Sequence, residues 1–236
     1  MFSTGPYEEP SMRFVPRLSL SLLRSAVLLL LLAILPFAAG GCAAALANVA
    51  KAGGQTVIPS YKGLHDQKVG IMVWAPEGIT IDHPEIQADV AKGLQKKLSE
   101  AGTAEVKNIT WMKADDILRF QEDHPELSVQ PATDLAARLP VTRLIYIEIS
   151  SVSLHPNDAV DLSRGEAIVD MRTIEVTNGI AKDGYPPENN ISVVYPPHAP
   201  PEGVTGLEDA ELYRSTIDAL TSELAKHFIS YDADDQ

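Results

Sequence analysis

The sequence predicts an α/β fold: a mixed β-sheet packed by helices in a layered sandwich, standing behind a cleaved signal segment. Three observations predict it. Residues 68–74 (KVGIMVW), 143–154 (RLIYIEISSVSL) and 165–177 (GEAIVDMRTIEVT) have the length and the β-branched, aromatic content of strands. Stretches whose apolar residues recur every three or four positions lie between and after them, as helices that bury one face require. The chain has 236 residues, 45% hydrophobic and 22% charged, enough for one core once the apolar block at 26–39 is set aside.

That block belongs to the amino-terminal segment. Arg13, Arg17 and Arg24 precede SAVLLLLLAIL at 25–35, and Pro36 and small residues lead on to Cys42. A basic start, a short apolar run and a small-residue end make an export signal. Eleven helical residues rise about 16 Å, well short of the roughly 30 Å hydrocarbon core. A permanent span would have to extend through the proline and both glycines, which disfavours it. Glu8 and Glu9 sit oddly in a region that should be basic, whereas a start at Met12 opens with positive charges only. Met12 is therefore the expected initiator.

The elements behind the signal follow in order. Residues 42–66 hold the cysteine and an Ala/Gly-rich stretch with no sustained period, which predicts a tether. The α/β domain is expected over 67–232. After the strand at 68–74, Asp82 or His83 can cap a helix with Pro84 in its first turn. Ile86, Val90, Leu94 and Leu98 then line one face as far as Gly102. A weaker strand is expected at 105–110, followed by short helices at 114–122 and 132–139. In the strand at 143–154, Ile145, Ile147 and Ile149 share one face. In the next, at 165–177, Ala167, Val169 and Met171 point inward and Asp170 and Arg172 outward. With the connection around Asn157 and Asp158, these two strands should pair antiparallel. A last helix at 209–230 repeats Tyr213, Ile217, Leu220, Leu224 and Phe228, and should lie across the sheet.

Residues 183–206 form a proline-rich insertion in which Tyr-Pro-Pro occurs twice, as Tyr185-Pro186-Pro187 and Tyr195-Pro196-Pro197. Polyproline conformations are ordered before a partner grips them, so these six residues are candidates for partner binding. The alternative is a stiff loop that packs its tyrosines on its own domain, with 191–195 as an edge strand.

Composition excludes several functions. With 19 Lys plus Arg against 32 Asp plus Glu, the net charge of −13 repels a phosphate backbone, so nucleic acid is not an expected partner. A single cysteine makes neither an internal disulfide nor a thiolate cluster. The six histidines show no HExxH spacing, and G-x-S-x-G, Walker A and Rossmann glycine motifs are all missing from the sequence. Asp-His-Pro-Glu occurs at Asp82 and at Asp123, but both copies suit turns and helix starts better than a metal site. The acidic tail of Asp232, Asp234 and Asp235 reads as a solvated end. The expectation is a non-enzymatic chain with no cofactor and no metal. Its rival is a hydrolase using Glu148 or Asp170 as acid or base, and a third reading is a purely structural membrane-to-wall linker.

Ala39-Gly40-Gly41-Cys42 resembles the lipobox of bacterial lipoproteins, with Ala39 where leucine is usual. The resemblance implies cleavage by signal peptidase II between Gly41 and Cys42 and acylation of Cys42. Several buried acyl chains make a stable anchor where one holds only marginally. Ala43 after the cysteine implies the outer membrane of a Gram-negative-type bacterium, with the domain facing the periplasm. The order of elements, with ATDLAARLP leading directly into TRLIYIEIS, resembles the envelope domains related to the TolB amino-terminal domain and the lipoprotein CsgG. That resemblance implies a layered α/β sandwich without catalysis. The partners it implies are the membrane, through Cys42, and an envelope protein or cell-wall component.

Overall fold

A computed structural model describes residues 56–156, 159 and 161–233. The signal segment, Met12, Gly41, Cys42, Asn157, Asp158, Asp234 and Asp235 lie outside the described residues. Among the described residues, no helix is long and apolar enough to cross a membrane.

Strand β1 (Thr56–Val57) is followed by β2 (Lys68–Trp74), α1 (Glu77–Asp82), α2 (Ile86–Glu100), β3 (Thr110–Trp111), α3 (Ala114–Asp123), α4 (Ala132–Arg138) and β4 (Arg143–Ser153). Then come β5 (Gly165–Thr177), β6 (Ile180–Tyr195), α5 (Asp209–Ala225) and β7 (Tyr231–Asp232). The main sheet has five strands in the order β3-β2-β4-β5-β6. β2 runs parallel to β3 and β4, while β4–β5 and β5–β6 are antiparallel. The expected mixed sheet is present, with helices on both faces.

Strand alternation decides which side chain goes to which layer. Val69, Ile71 and Val73 of β2, Ile145, Ile147 and Ile149 of β4, and Ala167, Val169 and Met171 of β5 form one face. They pack on Ile86, Val90, Leu94 and Leu98 of α2 and on Ile217, Leu220 and Leu224 of α5. The other face brings Met72, Leu144, Tyr146 and Ile174 against Ile117 of α3, Leu135 and Ala136 of α4, and Leu127 and Leu139. Two buried layers around a central sheet make the sandwich.

Several local expectations change. The stretch expected to be tether up to residue 66 is folded from Thr56 onward, since β1 pairs with β7 and both Tyr61 and Leu64 are buried in the core. Their contacts are long-range, which is why local composition hides them. Asp82 lies in α1, so Glu85 rather than Asp82 or His83 stands at the start of α2. The strand expected at 105–110 is a 3-10 turn at Ala104–Val106 and the two-residue β3. Asn108, with φ 59°, breaks the extended run between them. The last helix ends at Ala225, yet Phe228 beyond it is still fully buried.

The proline-rich insertion differs most. Its first part belongs to β6, a 16-residue strand reaching well before the expected 191–195 and containing Pro186 and Pro187. An edge strand tolerates proline because one row of its backbone groups needs no partner strand. Three register shifts in the β5–β6 ladder, between Val169 and Ile174, surround these prolines.

Candidate functional site

The two Tyr-Pro-Pro motifs do not form one surface. Tyr185 is half-buried against the core that α2 and α5 cover, while Pro187 lines a pocket on the opposite face of the sheet. Tyr195 and Pro197 line an open groove of about 640 Å³ with Glu211, Arg214, Ser215, Asp218 and Ala219 of α5. Asp218 is held from the other side by Lys97 of α2 at 2.7 Å. Pro186 is exposed and Pro196 half-buried, and neither lines the groove or the pocket. The extended conformation of the first motif thus comes from sheet pairing, and only the second borders a groove.

Glu148 and Asp170, the acid or base candidates, do come together. They are directly opposed in the β4–β5 register, next to the pair formed by Tyr146 and Arg172. Side chains directly opposed on one face stand about 4.5–5.5 Å apart at Cβ. Tyr146, Glu148, Asp170, Arg172, Pro187 and Asn189 line a pocket of about 280 Å³. Burial, reinforced by the Glu148 charge, pushes the Tyr146 phenol up to about 12. Two of the groups already have partners: Asp170 Oδ1 accepts the backbone N–H of Asn190 at 2.7 Å, and Arg172 donates to Asp183 Oδ2 at 3.3 Å. The sequence pointed to the two carboxylates but not to Tyr146 or Arg172, although period-two alternation places all four on one face.

The Asp-His-Pro-Glu copies are separated. His83 stacks on Tyr213 with ring centroids 5.1 Å apart, while the His124 ring lies against Phe120 at 4.8 Å, with Nδ1 3.0 Å from the Phe120 carbonyl oxygen. His83 instead shares a pocket of about 420 Å³ with Asp82, Ser153, His155 and Asp209. In it, His155 Nε2 lies 3.3 Å from Asp209, and its Nδ1 lies 2.9 Å from the Leu162 carbonyl oxygen. Among the described residues, no three His, Cys, Asp or Glu side chains are arranged to hold a metal ion. Tyr213 donates to Asp89 of α2 at 2.8 Å, and burial raises its pKa. This α2–α5 contact had no local signal in the sequence.

No protein-family model matches the chain. No curated protein matches it in sequence either. Among solved structures, it is similar to the lipoprotein GNA1162 of Neisseria meningitidis, at 13% identity and a TM-score of 0.40, covering 67% of this chain and 97% of that one. It is also similar to the PelC dodecamer of Paraburkholderia phytofirmans, at 10% identity and a TM-score of 0.37, covering 74% and 97%. The hypothetical protein CT253 of Chlamydia trachomatis follows at 16% identity and 0.34, covering 54% and 72%. None of the three transfers a residue role or an activity to this chain.

Proposed function

We propose that this chain is a lipoprotein of a Gram-negative-type cell envelope, anchored in the outer membrane through acylated Cys42 and facing the periplasm. Its α/β domain binds another envelope component, a protein or the cell wall, without catalysis. The observation that carries the reading is the position of the only cysteine, directly after Ala39-Gly40-Gly41 and the apolar run at 25–35. Removing residues 1–41 leaves Cys42 at the amino terminus, where acylation uses both its thiol and its amine. Strand β1 of the domain opens fourteen residues later, at Thr56. The open groove beside Tyr195 and Pro197 supports the binding half of the proposal.

Mass spectrometry of the mature amino terminus tests the anchor. A diacylglyceryl-modified Cys42 is expected, and a free Cys42 within a longer chain would refute it. Crosslinking in cells tests the binding role, which fails if purified membranes return no partner above background.

The juxtaposition of Glu148 and Asp170 favours one second reading, an envelope hydrolase. Against it, one oxygen of Asp170 is engaged by the Asn190 N–H. A purified protein that cleaved envelope material, and lost that activity in Glu148→Gln, would establish this reading in place of the binding one.

A further inference from the structure

Edge strands are usually protected against pairing with other chains by prolines, charges, bulges or shortness. The two edges of this sheet are unequal in that respect. β3 is two residues long. The stretch of β6 from Ile180 to Asn190 carries Lys182, Asp183, Pro186, Pro187 and Glu188, and all the register shifts of the ladder lie before Ile191. The last five residues carry none of these. From Ile191 to Tyr195 the ladder with β5 is unbroken, pairing Val169, Ile168, Ala167, Glu166 and Gly165 in turn. The sequence there, ISVVY, is β-prone and uncharged in a chain of net charge −13. Among the described residues, β6 pairs with β5 alone.

We propose that residues 191–195 are the pairing strand for the same segment of a second copy, joining two five-stranded sheets across a two-fold axis at Val193. An antiparallel pairing centred there sets Ile191 opposite Tyr195 of the other copy, twice, and Val193 opposite itself. Aromatic side chains opposite β-branched ones are favourable cross-strand pairs. A two-fold interface must be self-complementary, and this segment is complementary to itself in both side-chain type and charge. Its ends are defined as well. At one end Asn190, with φ 57° and its N–H bonded to Asp170 of β5, leaves the extended conformation, and at the other Pro196 has no N–H to give. A five-residue ladder fits between them. A strand from an unrelated protein would need neither this symmetry nor an uncharged partner edge.

The test uses the full mature chain in non-ionic detergent. Sedimentation equilibrium should give a dimer at tens of micromolar. Val193→Cys should form a disulfide linking residue 193 to residue 193 on mild oxidation, identified by peptide mass, because directly opposed Cα atoms lie within disulfide reach. Ser192→Cys, one position off the axis, should link at least tenfold less. Val193→Cys keeps a small apolar side chain, and circular dichroism checks that each variant retains the fold. A monomeric wild-type chain would overturn the proposal. So would a dimer without the 193–193 link, or a monomer that pairs this edge with a different protein.

Discussion

The Tyr61 phenol donates to Glu175 Oε1 at 3.1 Å, and burial pushes its pKa up to about 12, as it does for Tyr146 on the other face of the sheet. The ordinary value of 10 applies in the unfolded chain, so that state loses the proton first. Between pH 10 and 12, unfolding therefore releases protons, and stability falls as pH rises through this window. Below pH 10 the contribution is complete. Among the described residues the Tyr146 hydroxyl has no hydrogen-bond partner, so Tyr146→Phe should flatten the decline in urea-unfolding free energy between pH 10 and 12. A decline as steep as in wild type would count against the assignment. Leu64 makes a second case at this scale. It is fully buried, and Leu64→Ala should cost about 2–5 kcal/mol in urea unfolding, the range for large-to-small changes in a core. A tether residue would cost nothing measurable.

Gly165 opens β5 where Thr216 of α5 packs directly against its backbone. A Cβ there would run into Oγ1 of Thr216, which is buried and donates to the Leu212 carbonyl at 2.7 Å. Gly165→Ala should therefore destabilise by about 1–3 kcal/mol, the usual range for overpacking. The double variant with Thr216→Ala should recover part of that loss, and additive losses in a double-mutant cycle would refute the contact. This junction also marks the limit of what sequence pattern carries. The alternation Ile145-Ile147-Ile149 identified β4 and its buried face because period two is written into consecutive residues. The four-residue steps from Ile86 to Leu98 did the same for α2. The close approach of Gly165 to Thr216 has no such period, and neither does the pairing of Glu148 with Asp170, which depends on the register between two strands. Pro186 and Pro187 pointed to a polyproline segment, whereas β5 alongside them holds the chain in a strand. The proposed role of Cys42, which lies outside the described residues, rests wholly on the residues just before it.

At the scale of the whole molecule, the folded unit is closed by its two ends. β1 pairs with β7, Thr56 opposite Asp232, and the Tyr61 N–H donates to the His227 carbonyl at 3.0 Å. Between them, Arg143 donates from Nε to the Gly63 carbonyl at 3.0 Å, so residues 56–66 are fixed to the start of β4 as well as to the turn after α5. A chain starting at Lys68 would keep every strand of the main sheet, yet would lose the buried side chains of Tyr61 and Leu64 and leave Phe228 without the Tyr61 ring, whose centroid lies 6.2 Å away. Two buried side chains of that size contribute about 1.5–3 kcal/mol each, a large part of the roughly 5–15 kcal/mol that holds a domain folded. Chains beginning at Gln55 and at Lys68 should therefore differ by about 3–6 kcal/mol in urea unfolding. The shorter one should also expose its α5 end to protease first, because the turn at 226–229 loses its cover. Equal stability of the two chains would return residues 56–66 to the tether and move the start of the domain to β2.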